Sequence, residues 1–137
     1  MTKHVETPGR PAAPSIGPGR VVRAFGYSLQ GLRQTWRTEG AFRQEVLIAL
    51  VLVPVACYVS VTPVERVLLI SSWLLVMLVE LINSSLEATV DRISEERHPL
   101  AGHAKDAGSA AVLVALVIAG LTWAVLLGPR ALAALFG

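Results

Sequence analysis

The sequence is short of most features that soluble enzymes rely on. It has one cysteine, Cys57, in 137 residues, so neither a disulfide framework nor a cysteine-based metal site can form within one chain. Cys57 lies in an apolar run and reads as a small buried or lipid-facing side chain. Charged residues make up only 16% and hydrophobic residues 53%, against about 25% and about 45–50% in soluble domains. There is no G-x-x-x-x-G-K-[ST] phosphate loop and no protein-kinase motif set, which removes the usual soluble nucleotide-binding folds. No nucleic-acid partner is expected. Residues 1–19 contain no apolar stretch of the kind a signal peptide needs. They are rich in Pro and Gly, lack a periodic apolar face and are expected to be disordered.

What is present is a set of long apolar runs. Val46–Val61 has 16 residues, Val67–Leu86 has 20 and Ala107–Leu127 has 21. A membrane span needs about 20, with a range near 17–25. The first run is short, but it reaches if it borrows Ala41 and Phe42 while Arg43 and Glu45 snorkel or face protein. Pro54 within it is tolerable in a membrane helix. Thr62 is placed to cap the second helix, with Pro63 at its first position. That second helix is expected to run on to about Ser94, beyond its apolar part. Residues 95–103 read as a polar loop broken by Pro99 and Gly102, and Gly128-Pro129 reads as the end of the third helix. Ahead of the spans, Val22, Phe25, Leu29, Leu32 and Trp36 recur at helical spacing, with Arg23, Arg33 and Arg37 mostly elsewhere. This predicts an amphipathic helix over about 20–38 lying in the membrane interface.

Three spans put the termini on opposite sides. Lys3, Arg10, Arg20, Arg23, Arg33, Arg37 and Arg43 precede the first span, and Arg92, Arg97 and Lys105 lie between the second and third. Only Arg66 and Arg130 fall on the other side. Ten basic residues against two place the N-terminus and the second loop in the cytoplasm.

The second run carries the chemistry. On a helix turning about 100° per residue, Glu80, Asn83, Ser84, Glu87 and Asp91 form one stripe. One Asn or one Glu would suit a polar contact that only joins helices. Two Glu, an Asn and an Asp on one face go beyond that, because an ionisable group in a membrane is costly and normally has a function. Glu39, Glu87, Asp91, Lys105 and Asp106 all fall at the cytoplasmic interface. Brought together, Glu39 and Glu87 can bind a hard cation such as Mg²⁺, commonly held by one or two carboxylates plus substrate phosphates. Lys105, Arg97 and His98 can cradle a polyphosphate. Glu80 lies roughly 10 Å deeper, where it can take a proton from a lipid hydroxyl. Phosphoryl transfer asks for this kind of positioning, charge neutralisation and a base.

Glu39-x-Ala-Phe-Arg-Gln-Glu45, Glu80-x-x-Asn-Ser-x-x-Glu87-Ala-x-x-Asp91-Arg92 and Ala104-Lys-Asp-x-Gly-Ser-Ala110 closely resemble the small bacterial membrane diacylglycerol kinases. The resemblance runs from about Arg20 to Leu127. It implies an all-α membrane protein with three transmembrane helices, an N-terminal amphipathic surface helix, and a homotrimer whose active sites are shared between subunits. On that basis residues 20–128 form a lipid kinase domain, with spans at about 42–61, 67–86 and 107–127 and a short tail over 129–137. The implied activity transfers the γ-phosphoryl group of Mg-ATP to diacylglycerol, giving phosphatidic acid, in the bacterial inner membrane. The resemblance makes Glu80 the general base, with Asn83 beside it, and Glu39 and Glu87 the metal-binding carboxylates. It places Tyr27, Glu96, Arg97, His98, Lys105 and Asp106 around the nucleotide. Arg20, Gln34, Thr35, Trp36, Ala41, Phe42, Arg43, Gln44, Glu45, Arg66 and Ser109 match positions lining the lipid. His103 stands where the resemblance leads one to expect Arg, which leaves less permanent charge near the phosphates.

The acidic stripe addresses the phosphate and the proton rather than the acyl chains. It therefore does not separate diacylglycerol from another lipid alcohol such as undecaprenol. A non-enzymatic proton or ion pathway through Glu80 is a further reading. It fits less well, because the opposite half of each span is nearly all apolar. A structural membrane-assembly module is the third.

Overall fold

The computed structural model describes residues 18–93 and 98–137. They form four helices in chain order: α1 (Pro18–Thr38), α2 (Gly40–Tyr58), α3 (Pro63–Ile93) and α4 (Pro99–Phe136). Of the disorder expected for residues 1–19, residues 1–17 lie outside the described residues, as do the roles expected for Glu96 and Arg97. Pro18 and Gly19, by contrast, are the first residues of α1 and not disordered, a proline being well suited to a helix's first turn. The chain falls into two compact units, Met1–Gln34 and Thr35–Gly137.

In the first unit α1 forms as its spacing predicts, and Gly26 and Gly31 do not interrupt it. Its apolar residues, among them Val22, Phe25 and Leu29, are exposed. In the second unit α2, α3 and α4 are each long and apolar enough to cross a membrane. α3 packs most extensively on α4 and less on α2.

The packed core is small. Trp73 and Val76 of α3 meet Ala115 and Ala119 of α4, with Ala49, Leu52, Met77 and Val79 against them. The alanines, one turn apart, let the two backbones approach closely, as small residues do between membrane helices. Most other large apolar side chains, such as Leu50, Val51, Leu74 and Leu113, are exposed. That is the surface expected where lipid, rather than water, is the solvent. Two indoles cross-link the helices through backbone carbonyls. Trp73 Nε1 donates to Glu45 O at 3.0 Å, and Trp123 Nε1 donates to Leu69 O at 3.2 Å.

The helix ends depart from expectation in three places. α2 stops at Tyr58 rather than reaching Val61, because Val59 is extended (φ −68°, ψ 142°). Arg66 Nε then donates to Ala56 O at 3.1 Å, satisfying a carbonyl left open in the last turn. α4 starts at Pro99, inside the expected loop, since His98 caps it: the imidazole accepts from the Leu100 N–H at 3.2 Å. The proline fits the first turn, where no N–H is required. Gly102 lies within the helix and does not break it.

At its far end α4 runs through Gly128 and Pro129 to Phe136 instead of stopping. A proline in a membrane helix is tolerated when other donors serve the freed carbonyls. The Arg130 guanidinium donates to Leu126 O, the carbonyl next to the one that Pro129 leaves without its helical donor, and ties its other nitrogen to Glu65 of α3.

The start of α3 follows the sequence reading and adds to it. Thr62 Oγ1 accepts from the Glu65 N–H at 3.3 Å. Glu65 returns the contact, accepting from the Thr62 N–H at 2.8 Å. This reciprocal pair is a capping box, legible as Thr-x-x-Glu. Glu65 also holds Arg130 of α4, with Nη2 at 2.9 and 3.1 Å from its two oxygens.

Candidate functional site

α2 begins, α3 ends and α4 begins at one end of the second unit, and there they enclose a cleft of about 310 Å³. Glu39 and Ala41 enter it from the start of α2, and Ser109 and Val112 from α4. The remaining wall is the stripe read from the sequence: Glu80, Asn83, Ser84 and Glu87 of α3. Each comes by a plain local cause. The α3 residues recur at three and four, so the helix brings them onto one face. Glu39 stands at the N-cap position of α2 with extended backbone (φ −102°, ψ 117°). Its side chain makes no capping bond, so its carboxylate remains available to the cleft.

Glu80 is 5% exposed and Glu45, on the inner face of α2, is 7% exposed. Glu87 and Glu39 are charged neighbours of Glu80, and Glu80 is one of Glu45. Asn83 Nδ2 donates to Glu87 Oε1 at 3.1 Å, tying the amide to one carboxylate oxygen. Three buried side-chain atoms have no hydrogen-bond partner among the described residues: Glu45 Oε2, Asn83 Oδ1 and Ser84 Oγ. Two belong to residues lining the cleft, and the third belongs to Glu45, which has Glu80 as a charged neighbour. Buried polar atoms in folded proteins are almost always paired. All three lie on or beside the acidic stripe, so the polar groups left unpaired among the described residues gather at this end of α3.

No group of three or more His, Cys, Asp or Glu among the described residues converges to hold a metal ion. The donor set is two interfacial carboxylates, Glu39 and Glu87, with an amide beside them. That set does not cage an ion by itself, but it suits Mg²⁺ carried largely by phosphates.

The other residues singled out from the sequence divide clearly. Lys105 pairs with Asp91 at the same end, with Asp106 exposed beside it. His98 is exposed and serves as the α4 cap. Phe42 is buried in α2, whereas Gln44 is exposed. Arg43 donates to the Trp36 and Arg37 carbonyls at 3.4 and 3.2 Å, closing the end of α1. Thr35 is half-buried and Trp36 exposed. Arg66 is not brought to the cleft. It lies fourteen residues before Glu80 on α3, roughly 21 Å along the helix. Arg20, Tyr27 and Gln34 belong to the first unit, where all three are exposed. Ser84, read on the stripe but given no role of its own, and Val112, not singled out, also line the cleft. Ser84 was legible, four residues after Glu80 on the stripe, whereas nothing in the sequence marks Val112.

The family model for prokaryotic diacylglycerol kinase matches residues 26–127, which include every residue lining the cleft. The chain belongs to this family. It is 55% identical over 113 residues to the diacylglycerol kinase of Escherichia coli (strain K12), covering 82% of this chain and 93% of that protein. It is 53% identical over 111 residues to the Pseudomonas aeruginosa (strain PAO1) diacylglycerol kinase, covering 81% and 90%. It is 45% identical over 104 residues to that of Helicobacter pylori (strain 26695), covering 76% and 81%. As a member of the prokaryotic diacylglycerol kinase family the chain is an enzyme of the kinase class, and its three apolar helices fit a membrane protein.

Proposed function

We propose that this chain phosphorylates diacylglycerol to phosphatidic acid at the cytoplasmic face of a bacterial inner membrane, using Mg-ATP. The observation that carries the proposal is the convergence of Glu39, Glu80, Asn83 and Glu87 on one cleft at the end of three membrane-length helices. Family membership supports the reaction class, and the relatives' names support the lipid. The ten-to-two basic asymmetry supports a cytoplasmic N-terminus.

The lipid hydroxyl enters the cleft from the membrane side and meets the buried Glu80. As a bond forms between that oxygen and the γ-phosphorus, the γ-phosphorus bond to the β-phosphate oxygen breaks and ADP leaves. The hydroxyl proton passes to the Glu80 carboxylate. Asn83 stands beside this base. Glu39 and Glu87 are the residues that would hold the nucleotide's magnesium ion, which neutralises charge on the phosphates. Lys105, Asp106, His98, Glu96, Arg97 and Tyr27 surround the nucleotide in this reading. Lys105 exchanges its exposed pairing with Asp91 for a phosphate, an inexpensive exchange because surface ion pairs are weak. Thr35, Trp36 and Ala41 to Glu45 face the lipid, together with Ser109, Arg20 and Gln34. The amphipathic face of α1 lies in the membrane interface, and the chain assembles as a homotrimer with sites shared between subunits.

The test is incubation of the purified protein with γ-labelled Mg-ATP and a panel of lipid alcohols that includes diacylglycerol and undecaprenol. Labelled phosphatidic acid is the expected product. Labelled undecaprenyl phosphate alone would keep the chemistry and replace the substrate. Absence of any labelled lipid would overturn the proposal.

A further inference from the structure

The contact between α3 and α4 beside the cleft turns on one glycine. A Cβ added at Gly108 would overlap the Asn83 side-chain oxygen, and it would meet Asn83 Cγ and Leu86 Cδ2 at 3.3 Å. Gly120, further along the same helix, has nothing within 4 Å of the corresponding position. Asn83 forms a ridge between two hollows. On one side lies the polar cleft with Glu80, Glu87 and Ser109. On the other lies an apolar groove of about 340 Å³, lined by Val79, Ile82 and Leu86 of α3 and by alanines of α4. At 100° per residue, positions 80, 84 and 87 fall to one side of 83, and positions 79, 82 and 86 to the other. The Asn83 side chain therefore points along the helix–helix seam at α4, and it fits only because residue 108 has no side chain. In that seat its Nδ2 donates to Glu87 Oε1 at 3.1 Å. Its Oδ1 is buried without a hydrogen-bond partner among the described residues. It lies toward the Gly108 Cα, whose hydrogens offer a weak C–H···O contact.

We propose that Gly108 is a positioning residue for the site: its bare Cα seats Asn83 in one rotamer, and Asn83 in turn holds the Glu87 carboxylate in the cleft. A methyl group at 108 has two ways to fit. It can drive Asn83 into another staggered rotamer, about 120° away, which takes Nδ2 off Glu87. Alternatively it can push α4 from α3 and open the cleft. Both leave Glu87 without its amide. Because Glu87 is read as a carboxylate toward the nucleotide's cation, the consequence for the cation rests on the proposed function. Partners that orient a metal-binding side chain typically matter by about 10–100-fold in metal affinity.

The experiment compares Gly108→Ala, Asn83→Ser, the double variant and the control Gly120→Ala, each as full-length protein in lipid–detergent micelles. Mn²⁺ binding is followed by electron paramagnetic resonance with a non-hydrolysable ATP analogue, alongside the Mg²⁺ dependence of lipid phosphorylation. Gly108→Ala should weaken Mn²⁺ binding and raise the Mg²⁺ needed for half-maximal rate, each by about 10-fold or more. Gly120→Ala should match wild type. In the Asn83→Ser background, where the shorter side chain leaves room, adding Gly108→Ala should change either quantity by less than about twofold. Unaltered metal responses in Gly108→Ala, or the same loss in both backgrounds, would overturn the proposal. If Gly108→Ala does not fold, the double variant decides: a folded protein matching Asn83→Ser supports the seat, and a second failure to fold refutes it. A wild-type protein that phosphorylates no lipid defeats the functional reading instead, while the Mn²⁺ arm still tests the seat.

Discussion

Replacing Trp73 by Phe should loosen the attachment of α2 to α3 just below the cleft. The indole is 9% exposed, packs in the cluster with Val76, Ala115 and Ala119, and donates to Glu45 O at 3.0 Å. Phe keeps the aromatic face but loses the donor and part of the volume. The Glu45 carbonyl lies within α2, whose helical ladder also bonds it, so it is not orphaned. The lost hydrogen bond therefore costs its net value, about 0.5–1.5 kcal/mol. The unfilled space adds about 24 cal/mol per Å³ of cavity, roughly 1 kcal/mol for a few tens of Å³. Lipid is as apolar as the core, so no transfer term is added. The sum is about 1.5–2.5 kcal/mol. SDS titration in mixed micelles should show the loss as an earlier unfolding midpoint, with Trp73→Ala larger at about 3–5 kcal/mol. Because the ring still fills most of the site, lipid-kinase turnover at low SDS should stay within several-fold of wild type. An unshifted midpoint in Trp73→Phe would refute the claim that this indole ties the helices together.

Glu87→Gln should raise the Mg²⁺ requirement and weaken nucleotide binding while leaving the unfolding midpoint near wild type; a Mg²⁺ titration of turnover checks it, and an unchanged curve would remove Glu87 from the cation site. Thr62→Ala breaks the capping box at the start of α3 and should cost about 1 kcal/mol, read by the same SDS titration, without altering the Mg²⁺ response. Topology can be read by cysteine labelling of intact cells in a Cys57→Ser background: Ala133→Cys should react with an impermeant reagent and His103→Cys should not.

The three apolar runs were enough to find the membrane-length helices, because a 20-residue apolar segment leaves the chain few alternatives. The acidic stripe was legible for a similar reason. Residues 80, 83, 84 and 87 share a face of any helix, whatever it packs against. Helix ends were less legible. Pro99 and Pro129 both read as breaks, but one sits in a first turn capped by His98, and the other lies in a helix whose end is tied to α3 through Arg130 and Glu65. Whether a proline stops a helix depends on donors that only the folded chain supplies. Cross-helix pairings were not legible either. Trp73 and Glu45 are 28 residues apart, and Arg130 and Glu65 are 65 apart. Gly108 looks like any small residue at a membrane-helix contact until Asn83 is seen against it.

The central claim is that Glu80 accepts the proton of a lipid hydroxyl in the cleft, and Glu80→Gln tests it most directly. The amide keeps the volume and most hydrogen bonding of a side chain that is 5% exposed, but it cannot take the proton. General-base catalysis typically contributes about 10²–10⁴-fold, or about 2.7–5.5 kcal/mol of barrier. Turnover, nucleotide affinity and SDS unfolding should be measured on the same preparation. The expected result is a loss of turnover in that range, with nucleotide affinity little changed and the fold as stable or more so, since a buried ionisable group has been neutralised. Near-normal turnover in a well-folded Glu80→Gln protein would contradict the account and leave Glu80 as a polar contact between helices.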